Sequence, residues 1–278
     1  MNSRLRVPCS YQGGKQRIAP QIVDHLLNAA PHQDSHFYDL CCGSGAISIE
    51  LINRGISPSR IHMLDVSTWG AFWSAIGSGH FDMSKFDQHL RELPENKREY
   101  KAHMKMLSAL PFLETNIELY PILQANSFGG KQIWYNGASW ENACFRDYWE
   151  PTATSIRRSP ANPMQPGPNE LRRRIDNIVK GMIGVKAVKS NIETIFDFNI
   201  PSDAVVYVDP PYKNTTKYGF DFSLETFVSK FQKSYEVPLY VSEGSALNNN
   251  AIMLTFGGAK GGISGIKKRK HEEWLNPF

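Results

Sequence analysis

The chain has 278 residues, 41% of them hydrophobic and 21% charged, with a formal net charge of +4. Those proportions fit a globular protein with a substantial core, and no apolar stretch approaches the length of a transmembrane helix. The four cysteines, Cys9, Cys41, Cys42 and Cys144, and the eight scattered histidines show no metal-ligand spacing, so neither a zinc site nor a disulfide framework is expected.

The first residues lead into a polar loop without the apolar core of a secretory signal, which predicts a cytoplasmic, intracellular protein. Ser10-Tyr11-Gln12-Gly13-Gly14-Lys15 is that loop, and Ile18, Ile22, Val23, Leu26 and Leu27 then mark one face of a helix stopped near Pro31. His36–Leu40 reads as a strand, Gly43-Ser44-Gly45 as a tight turn, Ala46–Asn53 as a helix and Ile61–Asp65 as the next strand, which together make a βαβ unit. From 71 to 168 the alternation fades and aromatics become frequent, among them Phe72, Trp73, Phe86, Trp134, Tyr135, Trp140 and Trp149. This stretch is expected to be an inserted, mainly helical module with a helix over Glu95–Leu110 and an irregular loop over Ser159–Pro168. Alternation returns with a basic helix over Asn169–Ile183 and strands over Lys186–Asn191 and Ala204–Asp209. A helix over Ser223–Tyr235, capped by Ser223, and a strand over Val237–Ser242 follow. The fold class is therefore α/β, a Rossmann-like doubly wound sheet, with 1–70 and 169–278 forming one discontinuous domain and 71–168 inserted in it.

Three constellations carry chemistry. Asp39-x-x-x-Gly43-x-Gly45 lies between a strand and a helix, where glycines let backbone approach a ligand and the acid can pair with an ammonium. A dinucleotide fingerprint needs a third glycine where Ser48 stands, which favours a ligand without a pyrophosphate; a plain strand–turn–helix is the alternative. Asp65 ends the next strand, where either a ribose-binding carboxylate or a cap belongs. Asp209-Pro210-Pro211-Tyr212 follows the apolar run Ala204–Val208. It offers a carboxylate, a carbonyl and an aromatic face at the carboxyl end of a buried strand, the parts needed to hold a planar base by its exocyclic amino group. Positive charge collects at Arg157, Arg158 and Arg172-Arg173-Arg174, and again at Lys267-Lys268-Arg269-Lys270. Such clusters suit a polyanion or a solvated face.

In this order, Tyr11-x-Gly13-Gly14-Lys15, Asp39-x-x-x-Gly43-x-Gly45, Asp65 and Asp209-Pro210-Pro211-Tyr212 resemble the DNA adenine N6-methyltransferases of the Dam class. Asn126-Ser127-Phe128-Gly129-Gly130 and Trp140-x-x-x-Cys144-Phe145-Arg146-Asp147 loosely resemble the family's Asn/Gly/Arg-rich stretch. The resemblance implies an S-adenosyl-L-methionine-dependent enzyme that methylates N6 of a flipped adenine in double-stranded DNA and leaves S-adenosyl-L-homocysteine. It implies that Tyr11, Gly13 and Lys15 flank the cofactor, that Asp39 takes its ammonium, that Gly43 and Gly45 line it and that Asp65 binds the ribose. Asn191 stands near the position from which the family reads the cofactor adenine, where an Asp is common. Asp209, Pro210, Pro211 and Tyr212 become the catalytic turn, and 71–168 with the basic clusters at Arg157, Arg158, Arg172–Arg174, Lys267 and Lys268 becomes the target-recognition surface. A monomer or weak dimer without metal is expected. The competing expectations are an RNA adenine or DNA N4-cytosine methyltransferase, which use the same amino-group chemistry, and a non-catalytic nucleic-acid-binding subunit. A dinucleotide oxidoreductase fits least.

Overall fold

The computed structural model describes residues 4–112, 114–150, 152–154, 162–211, 222–254 and 272–278. Tyr212, Arg157, Arg158, Lys267 and Lys268 lie outside them.

The chain opens with a loop into α1 (Ala19–Ala29), which buries Ala19, Ile22, Val23 and Leu26 on one face and stops at extended Ala30, just before Pro31. Strand β1 (Phe37–Leu40), helix α2 (Ala46–Asn53) and strand β2 (Ile61–Asp65) follow as expected. Helix α3 (Thr68–Gly77) comes next, with Trp69, Phe72, Trp73 and Ile76 fully buried at helical spacing. Its N-cap is Ser67, whose side chain accepts from Trp69 N. The segment expected to be an insertion contains α4 (Met83–Arg91), α5 (Tyr100–Ser108), α6 (Tyr120–Ala125) and a short hairpin of β3 (Trp134–Tyr135) with β4 (Trp140–Glu141). Beyond it lie α7 (Pro168–Met182), β5 (Lys186–Lys189), β6 (Val205–Val208), α8 (Leu224–Ser234), β7 (Leu239–Glu243), β8 (Ile252–Leu254) and β9 (Glu273–Pro277).

Seven strands form one sheet in the order β5-β2-β1-β6-β7-β9-β8. The first five run parallel, and β9 is antiparallel to both of its neighbours. Alternation along the central strands sends Phe37, Val205 and Tyr207 into a core shared with α1, α2, α3 and α7. Tyr38, Leu40, Val206 and Val208 enter a second core with α8. Burial on both faces explains why β1 and β6 are buried at all four positions, whereas the edge strand β5 exposes Lys186 and Lys189.

Three sequence readings change. The boundary set between 70 and 71 falls inside α3, a helix that packs on β2 and β5 and belongs to the sheet layer. Phe86, Tyr100, Met104, Tyr120 and Trp140 join the core of α1 and α3, so among the described residues the segment 71–168 has no core of its own. Pro168, read as part of the irregular loop, starts α7, where its missing N–H leaves no helical bond unmade.

Candidate active site

Chain order runs outward from β1 to β2 and β5, then returns to the other side of β1 with β6 and β7. The crevice outside the carboxyl ends of β1 and β6 is thus the topological switch point, where open α/β sheets bind ligands. Register places Asp39 beside Tyr207 and Asp65 beside Lys189, and Asp209 N donates to Leu40 O at 3.1 Å. Asp39, Asp65 and Asp209 therefore stand at the ends of three adjacent strands.

The turn after β1 is built by its own contacts. Cys41 and Gly43 both take positive φ, 61° and 47°, and Cys42 N donates to Leu64 O. Gly45, at φ 72°, caps α2, and a Cβ there would stand 2.4 Å from the Trp73 ring. Trp73 Nε1 donates to Gly43 O at 2.8 Å, so α3 closes over the turn. A Cβ on Gly43 would stand 3.0 Å from the Tyr11 ring, which itself packs edge-on against Trp69 at 5.8 Å. These aromatics account for both glycines. Trp73, assigned by composition to the inserted module, is the residue the sequence reading missed here; its spacing from Trp69 and Ile76 was the available signal.

Asp39 is 2% exposed, and Ser48 donates to its Oδ2 from both N (3.2 Å) and Oγ (2.7 Å). The residue in the third-glycine position thus ties the helix to the strand-end acid. Burial pushes the Asp39 carboxyl up to about 7, against the Ser48 hydrogen bonds that lower it and with Asp209 and Asp65 adding repulsion. Asp65 accepts from Gly43 N at 2.8 Å on Oδ2, and from Ser67 N at 2.9 Å and Ser67 Oγ at 2.5 Å on Oδ1. It is a brace between the glycine turn and α3, and burial raises its pKa above the usual carboxylate value despite those donors.

Lys15, 8% exposed, joins this group from the first loop. Its Nζ lies 2.8 Å from Asp209 Oδ1, 3.4 Å from Glu273 Oε1 and 3.3 Å from Gly13 O. Burial pulls the ammonium's pKa down, but Asp209 and Glu273 outweigh it and the net shift is upward, so Lys15 stays charged. The loop carrying Lys15 is pinned by the segment beyond α6: Gln12 N donates to Gly130 O at 2.7 Å and Ser10 N to Gln165 O at 3.2 Å. Glu273 carried no sequence signal, because only the antiparallel hand of β9 brings its first residue to the edge where parallel strands end.

Other expected residues stand apart. Asn191 is exposed after β5, and its side chain accepts from Glu193 N at 2.9 Å as the cap of a short 3-10 turn. Arg172 pairs with Asp87 at 3.2 and 3.3 Å, Arg173 with Glu170 at 2.8 Å, and Arg174 with Glu170 at 2.8 Å and Val7 O at 3.2 Å. The hydrogen bonds from Arg173 and Arg174 hold Glu170 down to about 2. The arginine run of α7 is thus interleaved with acids. Among the described residues, no helix is long and apolar enough to cross a membrane, and no His/Cys/Asp/Glu cluster could hold a metal.

A mostly parallel seven-stranded sheet of this order, with a glycine turn after β1 and acids at adjacent strand ends, is a Rossmann-like α/β sheet. Residues 11–67, from Tyr11 through the glycine turn to Ser67, match the family model of the D12 class N6 adenine-specific DNA methyltransferases. Over that segment the chain is similar to the adenine-specific DNA methyltransferases; the Asp209 turn lies beyond it. No curated protein matches the chain.

Proposed function

We propose that the chain transfers a methyl group from S-adenosylmethionine to N6 of an adenine turned out of double-stranded DNA. The observation that carries this reading is Asp209, whose side chain is 19% exposed at the switch point and fixed by Lys15 beside the acids of β1 and β2.

The buried acids fit such a cofactor. Both hydrogen bonds to Asp39 fall on Oδ2, which leaves Oδ1 for an ammonium. Asp65 Oδ2 accepts one donor and has capacity for a second, such as a ribose hydroxyl. Among the described residues, the carboxylates of Asp39, Asp65, Asp209 and Glu273 outnumber the one lysine beside them, which favours a cationic ligand. When bound, S-adenosylmethionine supplies an electrophilic methyl on a sulfonium and leaves as S-adenosylhomocysteine.

The chain's own part is to present the nucleophile. Turning a base out of the stack costs a few kcal/mol, roughly, which a fitted site must offset. The Asp209 carboxylate and Pro210 carbonyl accept hydrogen bonds from the two amino hydrogens, which localises the nitrogen lone pair, and Tyr212 stacks on the base. After the nitrogen has taken the methyl and the sulfonium C–S bond has broken, the nitrogen gives up one proton through Asp209 to solvent. Positioning and fixed charges supply most of the acceleration. The segment 71–168 meets the DNA, with Arg157, Arg158, Lys267 and Lys268 drawing the phosphates.

Labelled S-adenosylmethionine offered with DNA, RNA or protein tests the reading. Label should enter DNA as N6-methyladenine. Asp209→Ala should lower the rate by about 100-fold or more while calorimetric cofactor affinity stays close to that of the unaltered chain. Substantial turnover without the Asp209 carboxylate would overturn its role, and label in RNA or cytosine would redirect the substrate.

A further inference from the structure

We propose that Glu273 is a positioning residue of the methyl-transfer site, holding the Lys15 ammonium so that Asp209 can give an oxygen to the target amino group. The inference rests on the adenine-methyltransferase reading above.

The problem it addresses is visible in the geometry. Lys15 Nζ lies 2.8 Å from Asp209 Oδ1. A charge-assisted bond of this kind is roughly twice as strong as one from a neutral donor. The amino group of a base is a neutral donor; Oδ1 has a second lone pair for it, but a charge already drawn to Lys15 makes that oxygen the weaker acceptor. Glu273 changes the balance, because its Oε1 lies 3.4 Å from the same Nζ. The side chains of Lys15, Asp209 and Glu273 are 9%, 19% and 12% exposed, so water weakens these attractions only in part. A small movement of the ammonium toward Glu273 frees Oδ1 without leaving Lys15 unpaired in a buried site.

The fold fixes this arrangement. Glu243 at the end of β7 pairs with Trp274, so antiparallel β9 begins beside the carboxyl ends of the parallel strands. Below, Tyr207 Oη and Ser242 Oγ share a hydrogen bond of 2.7 Å between β6 and β7, and Tyr207 feels both Asp209 and Glu273. The two carboxylates therefore stand on a braced base, and both face the Lys15 ammonium.

With Glu273→Gln, Lys15 loses one of the two carboxylates that face it, and its pull on Asp209 grows. The single-turnover rate of DNA methylation should drop about tenfold, with calorimetric affinities for S-adenosylmethionine and S-adenosylhomocysteine unchanged and the melting temperature nearly so. Glu273→Asp keeps the charge and should recover most of the rate. An unchanged rate in Glu273→Gln would overturn the proposal. So would a Glu273→Asp enzyme as slow as the Gln variant; if Glu273→Gln unfolds, a folded Glu273→Asp enzyme slowed about tenfold or more against wild type overturns it. Wild-type protein that leaves DNA unmethylated would instead remove the parent reading; active wild type beside an indifferent Glu273 removes only this one.

Discussion

At the scale of single residues, Asp39 has the most measurable chemistry. A carboxyl raised to about 7 by burial binds more protons in the folded than in the unfolded state between the ordinary carboxylate range and neutrality. Its contribution to stability is thus full below about pH 4 and is lost as pH rises toward 7. Asp39→Asn removes that dependence while Asn Oδ1 still accepts from Ser48, so thermal unfolding of the ligand-free variant should gain on wild type as pH goes from 5 to 8. A cationic ligand beside Asp39 favours the ionised form. Calorimetry at pH 7 in buffers of different ionisation enthalpy should show about half a proton released on binding S-adenosylmethionine, since Asp39 is about half protonated there, and no such release in Asp39→Asn. Equal proton counts in the two proteins would remove Asp39 from the ammonium site. The placement of Asp39, Asp65 and Asp209 was legible in the sequence, because each ends a run of buried-strand residues and such runs have a readable period. The hydrogen bonds from Ser48 and Ser67 were not, since they depend on how α2 and α3 are seated.

At the scale of elements, α3 shows what seats the site. A Cβ on Gly70 would lie 2.1 Å from Asp65 O and 2.7 Å from Lys189 Cα, and one on Gly77 would lie 2.2 Å from Val185 O. The helix thus rests directly on the backbone at the ends of β2 and β5, with no side chain as spacer. Helix propensity alone would favour Gly70→Ala by about 1 kcal/mol. The contact is with backbone, which cannot rotate aside, so overpacking prevails and the variant should lose about 3 kcal/mol in denaturant unfolding. Gly167→Ala, with open space around it, should be near neutral. A neutral Gly70→Ala would mean that α3 can lift off the sheet without cost. Composition pointed the other way here. The aromatic richness of 71–168 suggested a separate module, whereas spacing of Trp69, Phe72, Trp73 and Ile76 marks a helix on the main core. Periodicity reports which face is buried; composition does not report against what.

For the whole molecule, the question is where a polyanion would be held. A net charge of +4 is modest, and the described carboxylates at the switch point make the site itself acidic. On the proposed reading, DNA would therefore be drawn by cations outside this acidic group. The arginines of α7 are the obvious described candidates, and Arg172 and Arg173 are 45% and 50% exposed. Exposed pairs such as these are worth only about 0–1 kcal/mol, so a phosphate could displace either partner. Yet Asp87 and Glu170 would remain beside that phosphate and repel it, which cancels most of the gain. Each phosphate contact contributes roughly 0.9 to the slope of log affinity against log salt. Arg172→Ala and Arg173→Ala should therefore each reduce that slope by less than about 0.5, measured by fluorescence anisotropy on duplex DNA. Arg157→Ala with Arg158→Ala, and Lys267→Ala with Lys268→Ala, should each reduce it by more than about 1. A loss near 0.9 at Arg173 would make α7 a true phosphate contact and would move the DNA path onto the face of α1, α2 and α7.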